Sequence, residues 1–438
     1  MSAGDLPESV RRVLAQRSAL SVTSPGERPP GAWRYSSRLA LVLSGGGARA
    51  AYQVGVLAAL AERLPALEFP ILTGVSAGAI NTTYLAAHEG PLRAAVGGLM
   101  DQWMHLTVDR VYRVKPTRFG RNALRWLWQT ALGRRRGPAT VRGLLDQSPL
   151  REFLSRSMDV GGIDRNIAAG RLRAAALSAT SLTTGQSVTF VHGAPDTPTW
   201  RRAQRMAVRA RLTVDHILAS AAIPLLFPAV RMGDEFFGDG SVRQTAPLAP
   251  AIHLGARAVV VIGLRATVAR DASPPGEYPS TAEVLAVLLH SVFLDAVEAD
   301  MERLDRVNRL LAALPPDAPA PDHLKPVDLL VLRPSRDLGT VAAGHWELLP
   351  RTIRWLARGM GGQREEAADL LGYLLFHPSY TSQIVELGYD DVNRNWSAIE
   401  PFFAKLERRG SSPPDPLSLS GEGERRPPSP HGGEGDRG

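Results

Sequence analysis

The chain of 438 residues contains no cysteine. Disulfide bonds, thiolate nucleophiles and cysteine-liganded zinc or iron–sulfur sites are therefore excluded. No uncharged apolar run is long enough to span a bilayer, and the N-terminal stretch MSAGDLPESVRRVLAQRSAL has no apolar core of a secretory signal. We therefore expect a protein that is cytoplasmic or attached peripherally to a membrane, with no signal peptide and no transmembrane helix.

The sequence also lacks the short motifs that are typical of metal, nucleotide and nucleic-acid binding. No histidine pair has the His-x-x-x-His spacing, no EF-hand loop occurs, and no glycine-rich loop ends in Gly-Lys-Ser/Thr. Zinc-finger, RNP-type and helix-turn-helix signatures of nucleic-acid binding are missing as well. We expect no metal, no cofactor and no nucleic-acid partner.

The formal net charge is +8, and arginine supplies nearly all of the positive charge. Such a charge favours acidic partners, and an anionic membrane surface fits the motifs described below. An arginine-rich composition inherited from a GC-rich genome would give the same charge without any such partner.

Composition divides the chain into three parts. Residues 1–37 are rich in Pro, Ser and Arg and predict a flexible arm, and residues 406–438 form a Gly/Pro/Ser-rich tail that we expect to be disordered. Between them, over residues 38–405, short apolar runs alternate with helical patterns. This alternation predicts a three-layer α/β/α domain with a largely parallel central sheet. The predicted strands are LALVL, FPILT, RAAALSAT, SVTFV, RAVVVIGL and VDLLVLR.

The longest helical pattern runs from Thr281 to Leu314. Its apolar stripe predicts a single helix packed on the core. The stripe consists of Leu285, Leu288, Leu289, Val292, Phe293 and Val297.

A glycine-rich turn follows the first predicted strand, in LALVLSGGGARAAYQVGVLAAL. Gly45, Gly46 and Gly47 let the backbone present amide groups at a helix N-terminus, which is a site for an anion. The same geometry serves a dinucleotide pyrophosphate or the oxyanion of an acyl-transfer intermediate. A dinucleotide site should show an acidic residue at the end of the second strand, whereas Glu68 precedes that strand. The turn alone leaves both interpretations open.

The next strand ends in ILTGVSAGAINTTYLAA, where Gly74, Ser76 and Gly78 satisfy Gly-x-Ser-x-Gly at a strand-to-helix junction. Such an elbow projects a strained serine hydroxyl above the sheet, and the following helix directs its positive end at the site. An ordinary βα turn is the structural alternative. The glycine-rich turn one βα unit earlier favours the catalytic interpretation.

With these motifs in order, the chain resembles the patatin-like phospholipase family over roughly residues 38–405. The matching segments are GGGARA (Gly45 to Ala50), GVSAG (Gly74 to Gly78) and DGS (Asp239 to Ser241). Two positions depart from the family pattern: Ala50 replaces the commoner glycine, and Ser241 replaces the usual glycine or alanine. The Ser241 hydroxyl could compete for the Asp239 carboxylate.

The resemblance implies a patatin-like fold and a serine lipid acyl hydrolase of the phospholipase A type, acting on membrane lipids. It implies Ser76 as nucleophile and Asp239 as base, with no histidine between them. The oxyanion hole would be formed by Gly45, Gly46, Gly47, Ala48 and Arg49, and Gly74, Gly78 and Gly240 would support the motifs. The Arg49 charge could face a phospholipid head group, or Arg49 could be structural.

Two other functions remain open. One is an esterase of the α/β-hydrolase type with a Ser–Asp–His triad. Its histidine would be His253, His290, His345 or His377. The other is a catalytically silent lipid-binding protein.

The segment RFGRNALRWLWQTALGRRR predicts an interfacial helix with basic and apolar faces. Trp126, Trp128, Arg134, Arg135 and Arg136 would contact an anionic membrane. A surface helix packed on the core and followed by an arginine-rich loop is the alternative.

Overall fold

The computed structural model describes residues 38–114, 143–266, 280–315, 324–359 and 372–410. The predicted N-terminal arm, the predicted interfacial segment with its tryptophans and arginines, and residues 411–438 of the predicted tail lie outside the described residues.

Strands and helices alternate through most of the described chain. The strands are β1 (Leu39–Leu43), β2 (Ile71–Val75), β3 (Arg113–Val114), β4 (Leu145–Asp146), β5 (Ala174–Ser181), β6 (Ser187–Gly193), β7 (Arg205–Arg209), β8 (Val230–Met232), β9 (Glu235–Asp239), β10 (Ala258–Ile262) and β11 (Asp328–Leu332). The helices are α1 (Ala51–Arg63), α2 (Ala77–Ala87), α3 (Leu92–His105), α4 (Val108–Val111), α5 (Ser148–Ser157), α6 (Gly162–Ala168), α7 (Val214–Ser220), α8 (Ala249–His253), α9 (Thr281–Phe293), α10 (Asp295–Ala312), α11 (Leu338–Ala343), α12 (Arg351–Gly359), α13 (Pro378–Arg394) and α14 (Trp396–Gly410).

The described strands form a nine-stranded sheet in the order β11-β10-β1-β2-β5-β6-β7, with β9 pairing β5 and β8 pairing β9. Strands β11, β10, β1, β2 and β5 run parallel to one another. Strand β5 is antiparallel to both β6 and β9. All six strands predicted from the sequence are present in this sheet, so the largely parallel arrangement is confirmed.

Helices cover both faces of the sheet. Alternate residues of β1 belong to two separate cores: Leu39, Leu41 and Leu43 pack in one, and Ala40 and Val42 pack in the other. The first core includes α1 and α3, and the second includes α8 and α10. Because side chains of a strand point alternately to opposite faces, this division shows three layers. The predicted α/β/α fold is confirmed.

The prediction of one helix from Thr281 to Leu314 is wrong. The segment forms two helices that meet at Leu294, where φ is −115°. The break divides the predicted core stripe: Phe293 and Val297 are buried, whereas Leu288 is 58% exposed. The periodicity alone did not reveal the break, because the helical pattern continues on both sides of it.

The last helix extends past the expected start of the tail at residue 406 and ends at Gly410. Leu406 is buried, and Lys405 and Arg409 both bind the carboxylate of Asp328. These contacts hold residues 406–410 against the sheet, and they explain why the helix continues.

No helix in the described ranges is long and apolar enough to cross a membrane. The same ranges contain no group of three His, Asp or Glu side chains that could hold a metal ion.

Candidate active site

Ser76 lies between β2 and α2 in a strained backbone conformation, with φ 55° and ψ −129°. Such a conformation is rare for a residue with a side chain and costs on the order of 1–3 kcal/mol. Backbone contacts explain the glycines around it: a Cβ on Gly74 would lie 2.5 Å from the Gly78 carbonyl oxygen, and one on Gly78 would lie 2.3 Å from the Leu43 carbonyl oxygen. The predicted elbow is therefore tightly packed, and only glycine fits beside the serine.

Strand β5 brings Asp239 to this elbow. Val75, the last residue of β2, pairs with Ser178, and Asp239, the last residue of β9, pairs with Ala179. Strand β2 is parallel to β5 and β9 is antiparallel to it, so the two strands meet end to end along one edge of β5. Adjacent strand residues are about 3.3 Å apart. The residue after β2, Ser76, therefore adjoins the carboxylate of Asp239.

The Asp239 side chain is fully buried. Burial raises the pKa of Asp239 from 3.8 to about 6, opposed by the Ser76 hydroxyl and by the amide and hydroxyl of Ser241. The Ser241 amide donates a hydrogen bond to Oδ1 at 2.9 Å, and within the described ranges Oδ2 has no full hydrogen bond. A carboxylate with a raised pKa beside a serine hydroxyl can accept its proton near neutral pH.

The glycine-rich turn lies directly against the two serines of the site. A Cβ on Gly45 would lie 2.8 Å from Ser241 Oγ and 2.9 Å from the Cβ of Ser76. Gly47 and Ala48 begin a short 3-10 helix (Gly47–Ala50). The first amides of a helix have no acceptor within that helix. Gly240, next to Asp239, fits against the Ser178 carbonyl oxygen, which a Cβ would approach to 2.1 Å.

Arg49 is in the interior, with 1% of its surface exposed. Its guanidinium stacks on the Tyr373 ring at 4.4 Å, and its amide donates to the Gly46 carbonyl at 3.2 Å. Gly47 has φ +57°, and a Cβ there would lie 2.2 Å from the Tyr373 carbonyl oxygen. Arg49 thus attaches the turn to the C-terminal part of the chain, and its charge is buried instead of facing a head group.

A buried chain of polar side chains, which the sequence motifs did not indicate, joins the turn to the elbow helix. Trp103 donates to Asn81 at 2.8 Å, Asn81 donates to Gln53 at 2.9 Å, and Gln53 donates to the Ser44 carbonyl at 2.9 Å. Ser220 makes a further contact, because its hydroxyl accepts the Ser76 amide at 3.0 Å. The polar residues within the apolar pattern of α1 and α2 were the available signal.

The site is covered in this conformation. Ser76 is 2% exposed, and a Cβ on Gly45 would lie 3.4 Å from the Phe293 ring. A cavity of about 20 Å³ is lined by Gly45, Ser241, Gln244 and Phe293 among others. This volume holds about one water molecule.

Three of the four candidate histidines contact residues outside the Ser76–Asp239 site. His253 stacks on Trp200 with ring centroids 4.7 Å apart, and His345 Nδ1 lies 3.1 Å from the Val341 carbonyl oxygen. His377 Nδ1 accepts the Ser379 amide at 3.2 Å, and His290 lies on α9. Burial raises the pKa of Asp239, and the groups within the described chain that oppose this shift are two serines and no histidine.

Comparison with known proteins gives one family. The family model described as patatin-like phospholipase matches residues 41–252, which include every residue of the three motifs. No curated protein matches the sequence of this chain.

Solved structures resemble the chain at low identity. Human GIVD cytosolic phospholipase A2 is 12% identical, with 92% of this chain and 63% of that chain covered and a TM-score of 0.40. VipD from Legionella pneumophila is 13% identical, with 80% and 67% covered and a TM-score of 0.28. ExoU of Pseudomonas aeruginosa, solved with SpcU, is 19% identical, with 58% and 47% covered and a TM-score of 0.24. The chain spans less than two thirds of the human protein.

Proposed function

Residues 41–252 match the family model of patatin-like phospholipase, and from that match we propose that the protein is a serine lipid acyl hydrolase of the phospholipase A type. It cleaves carboxylic ester bonds of membrane lipids, with Ser76 as nucleophile and Asp239 as base. The observation that carries the proposal is the pairing of Val75 and Asp239 with adjacent residues of β5. This pairing sets the strained serine beside a buried carboxylate.

The reaction proceeds in two halves. Ser76 Oγ attacks the ester carbonyl while its proton passes to Asp239, and collapse of the tetrahedral intermediate breaks the bond to the alcohol, which takes the proton back. Water then attacks the acyl-enzyme carbonyl while it gives a proton to Asp239. As the bond between the acyl carbon and Ser76 Oγ breaks, Asp239 returns that proton to Oγ, and the fatty acid is released. An ordinary aspartate is a weak base, so the pKa of about 6 for Asp239 makes the proton transfer easier.

The oxyanion is stabilised by the glycine-rich turn. The amides of Ser76 and Arg49 are already bonded to Ser220 and to Gly46. The donors are therefore the amides of Gly46, Gly47 and Ala48, and each donor contributes about 3–4 kcal/mol to stabilising the transition state. Gly45 has no side chain and lets the turn lie close to Ser76. Arg49 holds the turn in place through its contact with the Tyr373 ring.

The Ser–Asp–His alternative is disfavoured by the surroundings of the histidines. Three of the four histidines contact Trp200, Val341 or Ser379. The hydrogen bonds that lower the pKa of the Asp239 carboxylate come from Ser76 and Ser241. A catalytically silent lipid-binding protein would not need a buried carboxylate of raised pKa at a strained serine.

We also propose peripheral attachment to anionic membranes through Trp126, Trp128, Arg134, Arg135 and Arg136. The support is the amphipathic sequence pattern and the net charge of +8. Replacing all five should weaken sedimentation with anionic vesicles while a soluble ester is still hydrolysed. An equal loss in both assays would instead indicate a role in folding.

The test is hydrolysis of p-nitrophenyl butyrate and release of fatty acid from phosphatidylcholine vesicles. Ser76→Ala and Asp239→Asn should each lower the initial rate by at least about 10⁴-fold, and the double variant should be no worse, because the pair acts as one unit. Ser382→Ala, a buried serine on α13, is the matched control and should keep wild-type activity. An inactive wild-type protein that still binds vesicles would support the silent lipid-binding alternative.

A further inference from the structure

The turn that ends α7 contacts the backbone of both proposed catalytic residues. The Ser220 hydroxyl accepts the Ser76 amide at 3.0 Å and donates to the Ser178 carbonyl at 2.6 Å. Two residues later, the Ala222 carbonyl accepts the Asp239 amide at 2.8 Å. One three-residue turn is thus bonded to the nucleophile at one end and to the base at the other.

The strained conformation of Ser76 requires such restraints. Its φ of 55° persists only where the surrounding structure holds the residue from several directions. On one side the Ser76 carbonyl accepts the Ala79 amide at 2.9 Å in the first turn of α2. On the other side the Ser76 amide is bonded to the fully buried Ser220 hydroxyl.

The second bond of Ser220 ties this restraint to β5, the strand with which both β2 and β9 pair. Ser178 is the β5 residue that pairs with Val75, and two residues on, the Thr180 hydroxyl donates to the Asp239 carbonyl at 2.8 Å. Ser220 therefore fixes the nucleophile to the same strand that fixes the base. Because the Ser76 amide already donates to Ser220, the donors to the proposed oxyanion come from the glycine-rich turn.

We infer that Ser220 is a positioning residue, whose hydroxyl holds the Ser76 amide so that Ser76 Oγ faces the Asp239 carboxylate. The inference rests on the proposed hydrolase function. Ser220 does not touch the reacting atoms; it acts through the backbone of Ser76. Loss of its hydroxyl leaves a buried amide and a buried carbonyl without their partner, and the elbow relaxes toward an ordinary turn.

The test compares Ser220→Ala, Ser220→Cys and Ser220→Thr with wild type on p-nitrophenyl butyrate. Ala and Cys remove the strong acceptor, and Cys nearly keeps the volume; we expect kcat to fall by about 10- to 100-fold with KM within about twofold. Thr keeps the hydroxyl and should retain most of the activity. Ser382→Ala controls for the loss of a buried serine hydroxyl elsewhere.

The pH dependence separates positioning from a general loss of packing. The Ser76 hydroxyl lowers the pKa of Asp239, and the Ser241 amide and hydroxyl are the other groups that do so. In Ser220→Ala the half-maximal pH of kcat/KM should therefore move upward. A purely structural role would reduce the folded fraction without moving that pH.

The outcomes distinguish the inference from the proposed function. Wild-type activity together with an unchanged kcat in Ser220→Ala and Ser220→Cys would overturn the inference alone, as would a loss with an unmoved pH profile. An inactive wild type would overturn the proposed function and the inference with it. Circular dichroism of each variant identifies any loss that comes from unfolding, and then the Cys and Thr variants decide the result.

Discussion

The family-matched segment, residues 41–252, and the C-terminal segment, residues 280–410, contribute differently to the site. The first supplies the serine, the carboxylate and the glycine-rich turn. The second supplies Phe293 over Gly45 and Tyr373 behind Gly47. The residues proposed for the chemistry therefore lie in one part of the chain, and the residues that cover them and contact the glycine-rich turn lie in the other.

The C-terminal segment is fixed to the first by close helix packing. A Cβ on Gly55 of α1 would lie 1.8 Å from the Val385 carbonyl oxygen of α13, and one on Gly388 would lie 2.4 Å from the Tyr52 carbonyl oxygen. Tyr52 also donates to the buried Asp391 at 3.0 Å. Because α1 follows the glycine-rich turn directly, this packing places α13 against the helix that leads out of the turn.

Among substitutions that test this division of roles, Gly47→Ala should have the largest effect on activity. The added Cβ meets the Tyr373 carbonyl oxygen at 2.2 Å in a backbone of φ +57°, so the turn must move. We expect kcat on a soluble ester to fall by about 10²- to 10³-fold, as for the loss of an oxyanion donor. Gly170→Ala is the control, because Gly170 has φ +66° with nothing within 4 Å. Similar activity in both variants would mean that Tyr373 does not shape the turn.

A smaller effect is expected from Phe293→Ala, which removes part of the cover. The truncation should lower the free energy of unfolding by about 3–5 kcal/mol. It should also raise kcat/KM on a soluble ester several-fold, because Ser76 is 2% exposed beneath the cover. Phe403→Ala removes an equally buried ring on α14 and should lower stability without raising kcat/KM. Equal kinetics in the two variants would show that Phe293 does not limit access.

The smallest effect is a gain in stability on Asp239→Asn. Burial raises the pKa of Asp239 from 3.8 to about 6, so between these pH values the folded protein keeps a proton that the unfolded chain loses, and stability falls as pH rises. Asn has no such ionisation. The free energy of unfolding should exceed that of wild type by up to about 3 kcal/mol above pH 6, and the gain should vanish below about pH 4. Denaturant titrations at pH 4 and pH 8 measure it, and a variant less stable than wild type at pH 8 would contradict it.

Local patterns predicted much of the first segment. The apolar runs predicted β1, β2, β5 and β6, and the spacing of Gly74, Ser76 and Gly78 predicted the elbow. Each of these features is encoded by residues a few positions apart, where periodicity and turn chemistry are visible in the sequence.

Features that depend on distant residues could not be predicted in this way. The end-to-end meeting of β2 and β9 on β5 needs pairings between residues as distant in the chain as Val75 and Ser178, or Ala179 and Asp239. The Tyr373 contact with the glycine-rich turn likewise has no local signature in the sequence. The hydrogen bonds of Ser220 and Asn81 could not be predicted for the same reason, because the sequence does not show which distant residue a buried polar side chain contacts.

The measurement that tests the central claim most directly is the pH dependence of kcat/KM on one soluble ester for wild type, Ser241→Ala and the four histidine variants. If Asp239 is the base, kcat/KM should rise through an apparent pKa of about 6. Ser241→Ala should move that pKa upward, because the Ser241 hydroxyl lowers the pKa of Asp239. Alanine at His253, His290, His345 or His377 should leave the profile within about twofold of wild type. A well-folded histidine variant that loses both the activity and this ionisation would contradict the dyad and establish a triad in its place.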